Sequence, residues 1–238
     1  MITLLPQYKP LFVNPPPNRY HFITGGRGSA KSYHVSLLLL NLTFEPGHVI
    51  LFTRWTMVSA HISIIPEFLE KIELLNLSHL FNITLNEIIH KETGSRIIFK
   101  GIKTSQGTAT ANLKSIQGVT TFVVDEGEEF HDEDAFDRID LSIRSVNNCN
   151  RVLIIMNPSN REHMLYKKFS PEHQREDVTY IHTTYLDNVK NLSESFVDQA
   201  NRIKAINLAR YEHLFLGAWT DSQEGLLWNH SIIESNRV

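Results

Sequence analysis

Gly25-Gly26-Arg27-Gly28-Ser29-Ala30-Lys31-Ser32 is the stretch on which the reading of this chain turns. It fits G-x-x-x-x-G-K-[ST] at every fixed position but one, where Ala30 replaces glycine. Glycines let a backbone curl until successive N–H groups point at phosphate oxygens, and a helix opening at Lys31 adds the positive end of its dipole. Lys31 would neutralise β- and γ-phosphate charge, and the Ser32 hydroxyl would ligate Mg²⁺. Gly25, Gly26, Arg27, Gly28, Ser29, Ala30, Lys31 and Ser32 are therefore the expected nucleotide-binding residues, with alanine costing only a methyl group. Alone, the octapeptide is also readable as a glycine-rich turn into a helix. Its flanks argue for the phosphate loop: Arg19 to Thr24 has strand composition, and Lys31 through Leu42 has the apolar content of a buried helix.

Outward from the loop, strand and helix patterns alternate. Val49 to Thr53 reads as a strand after the Pro46-Gly47 turn, and Ser63 to Leu75 as an amphipathic helix. Leu85 to Ile89 and Arg96 to Phe99 flank a hairpin turn at Thr93-Gly94-Ser95. Thr121 to Val124 and Val152 to Met156 are short apolar runs of the kind covered on both faces. Beyond Pro158 lie one more strand, Val178 to Thr183, and a long helical stretch from Glu194 to about Phe215. Residues 10–18, rich in proline, read as an extended lead-in that cannot be helix. The alternation implies an α/β fold with a doubly wound, mostly parallel sheet and a ligand beyond the carboxyl ends of its strands. Residues 1–185 are expected to form the core, and 186–238 a small helical linker or lid.

Phe122-Val123-Val124 ends in Asp125-Glu126, two carboxylates where phosphoryl chemistry wants them. Asp125 would hold Mg²⁺, usually through water, and Glu126 would activate the water that attacks the γ-phosphorus. The acids that follow, from Glu128 to Asp140, read as a solvated helix face; a nuclease metal site is the competing reading. Asn157-Pro158 closes another buried strand, and Asn157 either starts a turn or hydrogen-bonds the γ-phosphate or the attacking water.

With 238 residues, 42% of them hydrophobic, the chain can bury a large core. Net charge of -3 offers no global attraction for nucleic acid, so any grip on DNA must come from a local basic surface. The single cysteine, Cys149, cannot form an internal disulfide and is expected to be a small buried residue in a reducing cytosol. No apolar run approaches the roughly 20 residues that cross a bilayer, so no membrane role is expected.

Arg27 within the loop, the Asp125-Glu126 pair and Asn157-Pro158 together resemble the ATPase domain of tailed-bacteriophage terminase large subunits. The likeness extends to Arg19-Tyr20, Arg54, Phe99-Lys100-Gly101, Lys114-Ser115, Tyr185-Leu186-Asp187-Asn188 and Phe215-Leu216-Gly217-Ala218-Trp219. It implies a P-loop NTPase of the ASCE type that binds ATP with Mg²⁺ and couples hydrolysis to movement of double-stranded DNA into a procapsid. It further implies that Arg27 contacts phosphates, that Met156, Asn157 and Pro158 couple hydrolysis to movement, and that Tyr8 and Arg19 form the adenine end of the pocket. The partners it implies are a portal protein, a small terminase subunit and further copies in a ring, in host cytoplasm and transiently at the portal. In such rings a neighbour's basic residue completes the site; Arg54, Arg96 and Arg144 are candidates, and Arg96, beside a turn, is preferred. Family members continue into an RNase H-like nuclease, which this chain, ending at Val238, is expected to lack. Departures from the pattern are Ala30 and the acids that continue after the pair. A helicase-like remodelling ATPase is the alternative, though the basic and aromatic motifs of a strand-binding channel are not visible; a slow nucleotide switch would waste Glu126.

Overall fold

The structure, a computed structural model, describes residues 3–104, 107–108 and 116–221; Lys114-Ser115 lies outside these. Its framework is an eight-stranded sheet: β1 (Tyr20–Gly25), β2 (Val49–Arg54), β3 (Phe81–Ile83), β4 (Glu87–His90), β5 (Arg96–Gly101), β6 (Thr121–Val124), β7 (Arg151–Met156) and β8 (Val178–Thr183). The spatial order is β8-β1-β7-β6-β2-β5-β4-β3. From β8 to β5 every pairing is parallel, and the β5-β4-β3 meander closes the sheet antiparallel.

The central strands β6 and β7 are apolar at every position after their first because both faces are covered. Ile23, Val123, Leu153 and Ile155 point into one cluster, shared with Val35, Leu38 and Leu39 of α2 (Lys31–Leu42) and Phe68 of α3 (Ile65–Leu74). Their neighbours Phe22, Phe122, Val152 and Ile154 point into the other, closed by Phe136 and Ile139 of α4 (Glu133–Asp140) and Leu165 and Phe169 of α5 (Met164–Phe169). Each such fully buried side chain contributes about 1.5–3 kcal/mol relative to exposure. A third, smaller cluster of Tyr185, Ala200, Tyr211 and Phe215 belongs to the helices after β8. No helix among the described residues is long and apolar enough to cross a membrane.

Three local expectations are corrected. Pro10 does not exclude helix: α1 (Lys9–Val13) is a short one with Pro10 in its first turn, where a missing N–H costs nothing. The helix from Glu194 ends at Ile206, because Asn207 turns extended (φ -150°) and its side chain caps the next turn by accepting the Arg210 N–H at 2.9 Å. Cys149 is exposed, not buried.

His21, on β1, is buried, and burial, reinforced by Arg151, lowers its pKa to about 4. A depressed pKa means that the stability of the neutral form is complete above the unfolded-state value near 6.5 and is lost as pH falls toward 4. Between those values the wild-type chain should lose up to about 1.4 kcal/mol per pH unit from this group. His21→Phe should flatten that slope in urea unfolding at pH 7 and pH 4.5; equal slopes for both proteins would remove His21 as the acid-sensitive group.

Candidate active site

Four adjacent parallel strands deliver their carboxyl ends to one place. β1 runs into the glycine loop, β7 ends at Met156 before Asn157, β6 ends before Asp125, and β2 ends at Arg54. A cavity of about 500 Å³ opens there, lined by Arg27 to Ser32, Arg54, Glu67, Asp125, Glu126, Glu128, Asn157 and, from the C-terminal helices, Phe196.

The loop has the predicted curl, but Ala30 costs more than a methyl group. It adopts the left-handed conformation (φ 59°, ψ 26°) at the N-cap of α2, a geometry that favours glycine by about 1 kcal/mol. Gly26 is required for a different reason: a Cβ there would lie 2.1 Å from the carbonyl oxygen of Phe215. The C-terminal helices brace the loop directly, since the Arg27 N–H donates to Leu214 O at 2.8 Å and Asn188 Nδ2 donates to Gly28 O at 2.9 Å.

Lys31 is folded onto its own loop. Its Nζ donates to Gly25 O (2.8 Å), Gly26 O (3.0 Å), Ser29 Oγ (3.1 Å) and Asn157 Oδ1 (2.9 Å). These oxygens are the acceptors that phosphate would replace. Burial lowers the Lys31 pKa to about 8, against the pull of Glu128 and Asp125. Asp125 is buried, and that burial raises its pKa to about 7 although Arg54 Nε, 3.2 Å from Oδ2, favours the charged form. Arg54 also pairs with Glu126 and hydrogen-bonds Ser63 Oγ. Burial likewise raises the Glu126 carboxyl above its ordinary range, and Glu126 itself is left-handed (φ 53°), a strained backbone of the kind that clusters at functional sites.

Several expected residues lie elsewhere. Arg19 precedes β1 at the end remote from the loop, and its guanidinium is held by Asp140 Oδ1 at 2.6 Å, so it cannot touch adenine. Tyr8 is wholly buried, stacked on His34 at 4.2 Å with its hydroxyl 3.1 Å from Thr183 Oγ1, which leaves no face for a base. Arg96 starts β5, also at the remote end, and β5 is flanked by β2 and β4, so it does not project from a sheet edge as expected. Arg144 follows Ile143, whose carbonyl Arg19 holds, and shares that remote end. Arg54 alone of the three arginine candidates reaches an active site, and the site is its own chain's. Glu128, read as part of a solvated face, instead lines the cavity and binds Asn157. Sequence reasoning passed over Tyr33, His34 and Asn191 and gave Asn188 no site role; all four line a second cavity of about 490 Å³ that shares Gly28, Ala30 and Tyr33 with the first. Aromatic and amide side chains flanking a phosphate loop were the available signal.

A family model described as phage terminase large subunit matches residues 17–218. The chain belongs to the phage terminase large subunit family. Among terminase relatives, the large subunit of Bacillus phage SPP1 is 26% identical over 208 residues, covering 83% of this chain and 48% of that protein. The PBSX phage terminase large subunit of Bacillus subtilis is 26% identical over 204 residues, covering 78% of this chain and 46% of that one. The chain thus spans about half the length of the terminases it matches in sequence. Solved structures agree in fold: the large terminase of bacteriophage HK97 superposes with a TM-score of 0.68 at 14% identity, covering 92% of this chain and 51% of that one. The large terminase ATPase domain of Thermus phage P74-26 superposes with a TM-score of 0.64 at 14% identity, covering 92% and 94%. A large terminase from a thermophilic bacteriophage solved with ADP gives 0.69 at 14% identity, covering 90% and 52%.

Proposed function

We propose that this chain is the ATP-hydrolysing unit of a viral DNA-packaging motor. The observation that carries the reading is the Asp125-Glu126 pair at the end of β6, facing the phosphate loop across one cavity. The large terminase relatives solved with ADP and with ATP-gamma-S support a nucleotide as the ligand.

ATP would enter with its phosphates on the loop, and Lys31 would exchange the Gly25 and Gly26 carbonyls for phosphate oxygens. Glu126 takes a proton from the attacking water as its oxygen bonds the γ-phosphorus and the bond to the β–γ bridging oxygen breaks, releasing ADP and phosphate. Mg²⁺ fits the donors present: the Ser32 hydroxyl and the Asp125 carboxylate are hard oxygens, and buried Asp125 Oδ2 has Arg54 Nε at 3.2 Å as an ion-pair neighbour not aligned as a hydrogen bond. Bound there, Mg²⁺ would neutralise charge on the phosphates. A site with few protein ligands is ordinary for Mg²⁺, which keeps waters and phosphate oxygens as the rest of its shell. Tyr33, with Asn188 and Asn191 beside it, supplies the stacking face and amide groups for the base in place of Tyr8 and Arg19.

Movement of double-stranded DNA, a ring of copies on a portal protein and engagement of a small terminase subunit are proposed from family likeness, with the complex in host cytoplasm. Arg96 and Arg144, remote from their own site, could act only on a neighbouring copy's. The test is ATP turnover by the chain with and without double-stranded DNA and portal-bearing procapsids. Turnover stimulated by DNA and procapsids is expected; wild-type turnover no greater than that of Glu126→Gln would sink the proposal.

A further inference from the structure

Glu128 lies two residues past the catalytic pair, in the helical turn Gly127–Glu129. Its carboxylate accepts twice from Asn157: Oε2 from the backbone N–H at 3.1 Å and Oε1 from the side-chain Nδ2 at 2.7 Å. Asn157 Oδ1 accepts in turn from Lys31 Nζ at 2.9 Å. This pattern leaves one orientation for the amide. Turned over, its oxygen would face the Glu128 carboxylate and its NH₂ the Lys31 ammonium, two repulsive contacts in place of two charge-assisted hydrogen bonds. Glu128 is itself seated from behind, because its backbone carbonyl faces His163 Nε2 at 3.2 Å while His163 Nδ1 accepts the Leu165 N–H at 3.2 Å, which makes Nε2–H the donor.

We infer that Glu128 is a positioning residue that holds the Asn157 amide with only its oxygen turned to the cavity. An amide oxygen accepts hydrogen bonds and cannot donate one to a phosphate oxygen, so Asn157 does not bind the γ-phosphate. It can accept an O–H. A water attacking the γ-phosphorus has two O–H bonds: Glu126 removes the proton of one, and Asn157 Oδ1 accepts from the other once Lys31 has moved to the phosphates. Two acceptors on adjacent strands thereby fix the direction of the water's lone pair. The inference rests on the proposed hydrolysis.

The experiment measures steady-state kcat and KM for Mg-ATP, and ATP-gamma-S affinity by calorimetry, for the full chain and the variants Glu128→Gln, Asn157→Asp and the double variant. Glu128→Gln should lower kcat about 10-fold to 10²-fold while KM and ATP-gamma-S affinity stay within about 2-fold, the split expected when a transition-state interaction alone is lost. Asn157→Asp should lower kcat further, because it sets two carboxylates against each other. Adding Glu128→Gln to Asn157→Asp should recover about 10-fold in kcat, since the glutamine amide can donate to the aspartate. A merely structural role would lower thermal stability and give no such recovery. Wild-type kcat in Glu128→Gln, or losses that simply add in the double variant, would overturn the inference and leave hydrolysis standing; a wild-type chain without turnover overturns both.

Discussion

Glu126→Gln should bind Mg-ATP about as tightly as the wild-type chain and hydrolyse it at least about 10²-fold more slowly, the loss expected when a general base is removed. The geometry motivates a selective effect. Glu126 is partly exposed and lines the cavity, its carboxylate paired with Arg54 and not with the loop that seats the phosphates, whereas Asp125 beside it is buried at the end of β6. Burial raises the Glu126 carboxyl above its ordinary range, toward the pH at which a base can both accept a proton and release it. The substitution is isosteric and Gln can keep a hydrogen bond to the Arg54 guanidinium, so the fold and the left-handed backbone should survive. Calorimetry with Mg-ATP and single-turnover hydrolysis separate the two roles. If Asp125→Asn spares metal-dependent binding and Glu126→Gln abolishes it, the two carboxylates have exchanged functions.

Lys31→Ala should lose nucleotide affinity by a factor on the order of 10² to 10³, the equivalent of about two charge-assisted hydrogen bonds. The ammonium is held by Gly25 O, Gly26 O, Ser29 Oγ and Asn157 Oδ1, and in the proposed complex it would exchange the Gly25 and Gly26 carbonyls for phosphate oxygens. The variant should remain folded, because α2 is anchored by Val35, Leu38 and Leu39 and not by the lysine. Wild-type affinity for ATP in calorimetry, with a normal melting temperature, would refute the assignment of this loop to phosphate.

The elements around the site were legible because their signals are local. An apolar run of four to six residues, a glycine loop and a polar residue at the run's end can each be read within a ten-residue window. That reading placed the loop, Asp125, Glu126 and Asn157 at strand ends and predicted the doubly wound sheet. The family resemblance also implied an adenine end at Tyr8 and Arg19, and there the geometry differs. Arg19 stands six residues before Gly25, yet a strand rises about 3.3 Å per residue, so it emerges roughly 20 Å from the loop and pairs with Asp140. Tyr8, the implied stacking ring for adenine, is instead stacked on His34 with its hydroxyl against Thr183.

What only the tertiary structure decided is who touches whom across the carboxyl ends of the sheet. The order β1-β7-β6-β2 brings Arg54 onto Asp125 and Glu126, and Glu128 onto Asn157, pairs separated by tens of residues with no periodic signal to join them. The same closure lays Leu214 and Phe215 against the glycine loop and turns Asn188 toward Gly28, so that residues from the far end of the chain shape the phosphate site. Local pattern sets the period and end of each element, because backbone sterics and burial act within a few residues. Side-chain partners are set by strand order and rotamer, which exist only once the long-range parallel pairings have formed.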